Sequence, residues 1–230
     1  MYVTIHQPEF FPWVAFFNKV LLTDRIVLFD NVQFKHHYFE NRSKMMIGGS
    51  PAFVTAPVKH SGRFGQRIRD VELVDSNWPT KMWRAISQSY GRSPFWADHE
   101  AFLQDLLLQR RWTRLIDLNL HVIDYCCCYL GIPYHPVLGS EICDPELAGS
   151  DLVLDTCRRL GASAYLSGSH GHDYLDRSAF AAAGIDLRFQ DFVPLPHHRF
   201  DGPDAFPLGI LDTMFNLGRG TLDLIRGGRA

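Results

Sequence analysis

The sequence predicts an α/β fold, a mostly parallel Rossmann-like sheet that is built from βαβ units and carries a helical insertion. Short apolar runs that end in polar residues occur at 2–5 and 26–29, with a helical pattern between them. A second set of the same kind follows at 164–167 and 185–189. Two such strands joined by one helix within about thirty residues are typical of a parallel crossover.

The first unit begins with Tyr2-Val3-Thr4-Ile5, a β-favouring apolar run that predicts a buried strand. Pro8 ends this strand because proline cannot donate to a sheet ladder. Pro12 suits the first turn of a helix, and apolar residues then recur at helical spacing as far as Leu21. The next buried run ends at Asp30, which completes strand, helix and strand.

The remaining elements follow from the same patterns. A run at 52–58 predicts a third strand, and the alternation at 68–74 predicts an antiparallel edge strand. Amphipathic helices are predicted from Asn77 to Gly91, over 97–108 and over 113–130, which gives a helical insertion at about 76–131 within a single domain spanning 1–230. The prediction continues with a short strand at 134–138, a helix from Gly149 and a helix over 176–183. It ends with a loop over 194–207, a terminal helix over 208–217 and a loosely ordered tail over 218–230.

Composition limits the classes of function. The net charge is −2 and the pI is near 6.6, which gives no electrostatic reason to expect a nucleic-acid partner. We expect no membrane span and no signal peptide, because no apolar run is long enough and the N-terminus enters a strand directly. Five cysteines, three of them consecutive, are unlike a disulfide framework and indicate a reducing cytoplasm. Cys126, Cys127 and Cys128 point in different directions on one helix, so burial is expected for one or two of them.

Polar side chains follow the predicted strands at one edge of the sheet. His6 and Gln7 come after the first strand, and Asp30 and Gln33 come after the second. Open α/β sheets bind ligands at the carboxyl ends of their strands, so we expect a site at this edge. The stretch 34–42 that follows is polar and aromatic and contains further candidate ligand-binding side chains.

The second unit contributes the turn that begins with Ser167 and Gly168. Its register does not fit the Gly-x-Ser-x-Gly elbow of serine hydrolases, so we expect backbone N–H groups here to bind an anionic or carbonyl oxygen. His170 and His172 lack a third and a fourth ligand in the sequence, and no metal site is predicted.

Several motifs in one order resemble the WbqC-like protein family. They are His6-Gln7-Pro8, Pro12-Trp13, Asp30-x-Val32-Gln33-Phe34, Asn41-Arg42, Tyr165-Leu166-Ser167-Gly168, Asp173-Tyr174-Leu175 and the ending 210–218. The resemblance spans nearly the whole chain. It implies a role in O-antigen or natural-product biosynthesis, where the family is proposed to transfer glycine or a related acyl group to an amino sugar.

With the resemblance, the residues predict a transferase that moves an aminoacyl (glycyl-like) or acyl group from a thioester to the amine of an amino sugar or related metabolite. Direct aminolysis needs a general base and donors for the oxyanion. His6 is the predicted base, with a pKa near neutrality, and Asp30 is predicted to orient it. The predicted substrate-binding residues are Gln7, Trp13, Gln33, Lys35, Asn41, Arg42, Ser167, Gly168, Asp173 and Tyr174. No bound cofactor is expected, and the thioester co-substrate is carried by CoA or by a carrier protein.

Two alternatives remain open at this point. One is a nucleotide-dependent enzyme of the nucleotidylyltransferase type, because strand, histidine-containing turn, helix and strand also begin that superfamily. Its paired histidines are missing, since His6 is followed by Gln7, Pro8 and Glu9. The other is a non-catalytic binding subunit of a biosynthetic complex.

Overall fold

The computed structural model describes residues 1–193, 195–202 and 207–227, and the element bounds that follow refer to those ranges. The strands are β1 (Tyr2–His6), β2 (Arg25–Leu28), β3 (Arg42–Ile47), β4 (Ser50–Thr55), β5 (Pro136–Leu138), β6 (Ala164–Ser167) and β7 (Asp186–Phe189). The α-helices are α1 (Val14–Leu22), α2 (Trp78–Tyr90), α3 (Trp96–Gln104), α4 (Leu115–Leu130), α5 (Gly139–Ile142), α6 (Gly149–Arg159), α7 (Arg177–Ala182), α8 (Ile210–Leu217) and α9 (Thr221–Gly227). Short 3₁₀ segments lie at Ile68–Asp70, Ser169–Asp173 and Gly218–Gly220, and a π-helical turn at Asp105–Gln109 extends α3.

In the described chain, five strands form a parallel sheet in the order β5-β2-β1-β6-β7. Both predicted βαβ units are present, β1-α1-β2 and β6-α7-β7, so the predicted α/β class is confirmed. Each unit joins neighbouring parallel strands through one helix, which accounts for the short sequence distance between them. The central strands are buried on both faces, as parallel sheets require.

Alternate residues of β2 point to two different hydrophobic clusters. Ile26 and Leu28 pack with α1, the helices of 78–130 and α8, whereas Val27 packs with α6 and α7 on the other face. This alternation follows from the two-residue period of a strand. The helical segment 78–130 therefore covers one face of the sheet together with α1.

The strand order reverses between β1 and β6. From β1 the chain continues to β2 on one side, and from β6 it continues to β7 on the other. The turns that leave β1 and β6 therefore diverge, and a crevice opens at their carboxyl ends. In open α/β sheets this is the usual place for a ligand.

Two strand predictions differ from the structure. The predicted third strand is β4, which pairs with β3 in a separate antiparallel hairpin. The turn of this hairpin contains Gly48 and Gly49, both with positive φ, as a tight two-residue turn requires. The predicted edge strand at 68–74 is wrong, because this stretch forms a 3₁₀ turn followed by isolated bridges of Glu72 to Arg114 and of Leu73 to Val58. The apolar residues of this stretch pack into the core, and its backbone does not pair continuously with one neighbouring strand.

The C-terminal segment is more ordered than predicted. Residues 218–227 form a 3₁₀ turn and α9, which packs on α1 through buried Ile225. The side-chain amide of Asn18 donates a hydrogen bond of 2.9 Å to the carbonyl of Ile225. The prediction of a loose tail is therefore wrong as far as residue 227, and residues 228–230 lie outside the described chain. Within the predicted loop over 194–207, residues 194 and 203–206 also lie outside it.

Candidate active site

A cavity of about 990 Å³ lies at the crevice between the carboxyl ends of β1 and β6. Its walls come from the turn after β1, from α1, from the loop 35–39 with the β3–β4 hairpin, and from the turn after β6. This volume is at the upper end of the range for small-molecule sites. Apolar rings such as Phe10 and Phe16 form much of the wall, and a few polar groups project among them.

Most predicted site residues line this cavity. Those that do so are His6, Gln7, Trp13, Lys35, Ser167, Gly168, Asp173 and Tyr174. They come from segments more than a hundred residues apart in sequence, and the pairing of β1 with β6 brings them together. Asp30, Gln33, Asn41 and Arg42 are not part of the wall.

Asp30 contacts a different strand end from the one predicted. Its carboxylate accepts hydrogen bonds of 2.7 Å from both the backbone N–H and the hydroxyl of Ser140, at the start of α5. This follows from the sheet order, because β2 pairs with β5 on the side away from β6. His6 Nδ1 lies 2.9 Å from the carbonyl of Gln7 and 3.8 Å from a carboxylate oxygen of Glu9. The prediction that Asp30 orients His6 is therefore wrong.

The other three residues outside the wall have structural partners. Gln33 is exposed and forms a bridge with Arg67. Asn41 is buried and donates its side-chain amide to the carbonyl of Ala56. The guanidinium of Arg42 stacks on the ring of Phe53, 4.1 Å from its centroid, so Arg42 reaches the cavity only through that ring.

Glu9 and Lys19 are the main polar groups that the sequence reasoning missed. Glu9 is 7% exposed and Lys19 is 3% exposed, and both line the cavity. In the described chain, no hydrogen bond or ion pair joins Lys19 Nζ to a protein group. A lysine in the middle of the apolar helix α1 was the available signal, because charged residues are seldom buried without a function or a partner.

Burial shifts the pKa values of Glu9, Lys19 and His6 far from their ordinary values. Burial raises the pKa of Glu9 to about 8, with Lys19 opposing and Glu40 adding to the rise. Burial lowers the pKa of Lys19 to about 8, and the charge of Glu9 opposes this fall. Burial and the nearby ammonium of Lys19 lower the pKa of His6 to about 3. The prediction that His6 titrates near neutrality is therefore wrong, and its imidazole is neutral at pH 7.

The contacts of His6 also fix its tautomer. A carbonyl oxygen only accepts hydrogen bonds, so Nδ1 carries the proton that it donates to Gln7. Nε2 then has a free lone pair. His6 is thus a hydrogen-bond acceptor at the cavity wall, held edge-on against Phe16.

The model of the WbqC-like protein family matches residues 7–223, which include both cavity turns. The chain belongs to the WbqC-like protein family. It is similar to the uncharacterized protein Rv1507c of Mycobacterium tuberculosis (strain ATCC 25618 / H37Rv), with 26% identity over 227 residues and 97% of each chain covered. A search of the solved structures gives no significant match.

The segment that carries Glu9 in this WbqC-like chain is clamped to the neighbouring loop. Phe10 N–H donates to the carbonyl of Phe39, and the side-chain amide of Asn119 on α4 donates to the carbonyls of Pro8 and Glu40. Glu40 is fully buried, and neither of its carboxylate oxygens has a hydrogen-bond partner in the described chain. Burial raises the pKa of Glu40 as well. The clamp thus holds Glu40, a second buried carboxyl group, in the loop next to the segment that carries Glu9 into the cavity wall.

Replacing Asn119 with alanine is expected to lower the free energy of unfolding by about 1–3 kcal/mol, because two buried carbonyls lose their donor. Urea unfolding measures the change. Asp124→Ala, an exposed position on the same helix, is the control and should shift stability by less than about 0.5 kcal/mol. Equal stability of Asn119→Ala and wild type would show that the clamp does not hold the two segments.

The turn after β6 is fixed mainly by its own backbone. The hydroxyl of Ser167 donates to the carbonyl of Gly168, and Gly171 N–H donates to the same carbonyl. A Cβ on Gly171 would lie 2.0 Å from the hydroxyl oxygen of Ser167, so only glycine fits there. His172 leaves the cavity, because its ring stacks on Phe189 and its Nδ1 accepts from Arg177. His170 lines the cavity separately.

Two further findings concern the described residues only. No three histidine, cysteine, aspartate or glutamate side chains there are grouped as metal ligands would be. None of the helices in these ranges is both long enough and apolar enough to cross a bilayer.

Proposed function

We propose that this WbqC-like protein transfers an aminoacyl (glycyl-like) or acyl group from a thioester to the amine of an amino sugar or related metabolite. The observation that carries the proposal is Glu9, a carboxyl group at the cavity wall whose pKa is raised to about 8 by burial. General bases work best when their pKa lies near the working pH. Glu9 therefore replaces His6 as the proposed proton acceptor.

The reaction is a direct aminolysis. The amine nitrogen attacks the thioester carbonyl carbon, the C–N bond forms, the C–S bond breaks, and the sulfur leaves as thiolate or thiol. Glu9 takes the proton that the amine loses. Neutral His6 accepts a hydrogen bond from the amine through Nε2 and orients it.

Lys19 is the proposed donor that stabilises the tetrahedral oxyanion. Its Nζ lies 3.9 Å from the position that a Cβ on Gly168 would take, so the ammonium and the backbone of the β6 turn face the same space. Donors that already point to the developing charge are the largest single source of rate enhancement in many acyl transfers. In this proposal Glu9 and His6 act on the attacking amine, whereas Lys19 and the turn after β6 act on the oxygen of the thioester carbonyl.

Direct attack by the substrate amine is supported by the surroundings of four cysteines and of Ser167, none of which is activated as a nucleophile in the described chain. Cys126, Cys127 and Cys157 are buried, and burial raises the pKa of each thiol. Burial is also the main cause that raises the pKa of Cys143, which does not line the cavity. The Ser167 hydroxyl donates to a carbonyl and has no base beside it in the described structure. A covalent acyl-enzyme at one of these four thiols or at Ser167 would need that group to be activated.

The rate is expected to have a bell-shaped dependence on pH with its maximum near pH 8. Glu9 acts in its ionised form, so kcat/KM rises as pH increases through the pKa of about 8. Lys19 acts as the ammonium, so kcat/KM falls as that group loses its proton, also at about 8. Steady-state rates across pH measure both limbs.

Glu40→Gln identifies the rising limb. The change removes a neighbouring negative charge, so it lowers the pKa of Glu9 and moves that limb to lower pH. The acceptor amine also titrates in this range, but its own pKa does not depend on Glu40. A rising limb that stays in place in Glu40→Gln would assign it to the substrate and remove Glu9 from the role of base.

The direct test is intact-mass and product analysis with glycyl and acyl thioesters, on CoA and on a carrier protein, against a panel of amino-sugar nucleotides. Reactions are run without ATP and then with it. An amide that forms without ATP, is lost in Glu9→Gln and persists in the exposed control Glu146→Gln supports the proposal. Turnover that requires ATP overturns it.

A nucleotide-dependent reaction is the second candidate. The observation in its favour is the position of the cavity, because the reversal of strand order next to β1 is where dinucleotides bind in related sheets. Release of pyrophosphate from ATP in the same assay would support it. A non-catalytic binding subunit would bind the amino sugar but form no product in this assay.

A cytoplasmic location stays a prediction.

A further inference from the structure

The charges of this chain are unevenly distributed. Residues 34–69 contain seven lysines and arginines and one acidic residue, Glu40, which is buried. The whole chain has 23 basic and 25 acidic residues, so the rest has 16 and 24. One segment is therefore strongly positive on an otherwise negative molecule.

The two ends of this segment meet in the fold. Phe34 N–H donates to the carbonyl of Gln66, and the rings of His36 and His60 lie 4.4 Å apart. Glu72 accepts from both Lys59 and Arg63, which fixes these two side chains beside each other. We call the surface of this segment the basic face, and its cations are Lys35, Arg42, Lys44, Lys59, Arg63 and Arg67.

Part of the basic face lines the cavity, and the rest lies outside the cavity wall. Lys35, Lys44 and Phe53 line the cavity, whereas Lys59, Arg63 and Phe64 do not. Phe64 is 97% exposed, which is unusual for a phenyl ring. Arginine and aromatic residues together are typical of protein–protein interfaces. A donor recognised only inside the cavity would not use this outer part.

We infer that the basic face docks an acidic carrier protein that delivers the thioester into the cavity. The inference rests on the proposed function, of which it specifies the donor. Charge complementarity argues for the partner, because this face carries six cations against the partly exposed carboxylate of Glu72, whereas the rest of the molecule has an excess of acidic residues. Its thioester arm would enter between Lys35 and Lys44, which line the cavity.

The test is binding of a purified acidic acyl carrier protein in its phosphopantetheine-bearing form, at low and at physiological ionic strength. Arg63→Glu/Arg67→Glu should weaken binding by about tenfold or more, and added salt should weaken wild-type binding. Arg84→Glu/Arg92→Glu, with the same change in charge on exposed positions of α2 and the following turn, is the matched control and should bind as wild type does.

Turnover then separates this inference from the proposed function. With glycyl-carrier protein as donor, the KM of Arg63→Glu/Arg67→Glu should rise by the same factor, while its kinetics with a glycyl-pantetheine thioester stay unchanged. Carrier binding without any turnover would support the docking face and contradict the proposed transferase activity. Turnover with pantetheine but no binding of the carrier protein by wild type overturns the docking face. An equal loss in the control, or tighter binding of tRNA than of carrier protein at equal salt, also overturns it.

Discussion

Glu9→Gln is expected to lower kcat/KM for amide formation by about 10²–10⁴-fold, the usual contribution of a general base. Glutamine keeps the shape of the side chain at this buried position but cannot take the proton of the attacking amine. The loss should be mainly in kcat, because the cavity wall that binds the substrates is unchanged. Steady-state kinetics with a thioester donor and an amino-sugar acceptor measure both constants.

The stability of Glu9→Gln distinguishes a catalytic loss from misfolding. The folded pKa of Glu9 is about 8, above its ordinary value of 4.5, so the wild-type native state holds a proton that the unfolded state releases between these values. The contribution of Glu9 to the free energy of unfolding of the wild type therefore decreases as pH rises from about 4.5 through about 8. Glutamine does not titrate, so Glu9→Gln should unfold at higher urea concentration than wild type at pH 8. Full activity in the variant would exclude Glu9 as the base.

Asp212→Ala is expected to lower the free energy of unfolding by about 3–5 kcal/mol, the cost of removing one member of a buried ion pair. Asp212 is fully buried on α8, where its carboxylate pairs with the fully buried guanidinium of Arg199. It also accepts from the hydroxyl of Tyr90 at 2.7 Å and lies 3.2 Å from His197 Nε2. Without the carboxylate, the positive charge of Arg199 loses its main partner. Urea unfolding measures the change.

The exposed pair of Arg226 and Asp223 on α9 provides the control, because its atoms are 4.0 Å apart at the surface. Asp223→Ala should change stability by less than about 0.5 kcal/mol. Asp212→Ala should also lower activity, because α8, which Asp212 ties to His197 and Arg199, begins directly after Gly209 in the cavity wall. A loss of stability below about 1 kcal/mol would show that the loop does not depend on Asp212.

The parallel sheet and two of its turns could be predicted from local patterns. The runs that form β1, β2, β6 and β7 are short, apolar and ended by polar or glycine residues, and such runs become buried strands whichever helices cover them. His6, Gln7, Ser167 and Gly168 follow directly from those strand ends. Their positions needed only the rule that parallel strands end at one edge.

The contacts of the candidate site were decided by the tertiary structure. Asp30 and His6 both follow central strands, yet the order β5-β2-β1-β6 sends one to Ser140 and the other to the cavity. Strand order depends on packing between segments that are distant in sequence, so no local pattern of residues specifies it.

The class of fold, the edge of the sheet where the cavity lies and the family could all be predicted from the amino-acid sequence. It took the tertiary structure to show that Glu9 and Lys19 are buried and line the same cavity as His6. The physical reason is that a pKa depends on how much water and which charges surround a group. For Lys19 this environment is supplied by the turns after β1 and β6, which the pairing of these two strands brings to the same cavity.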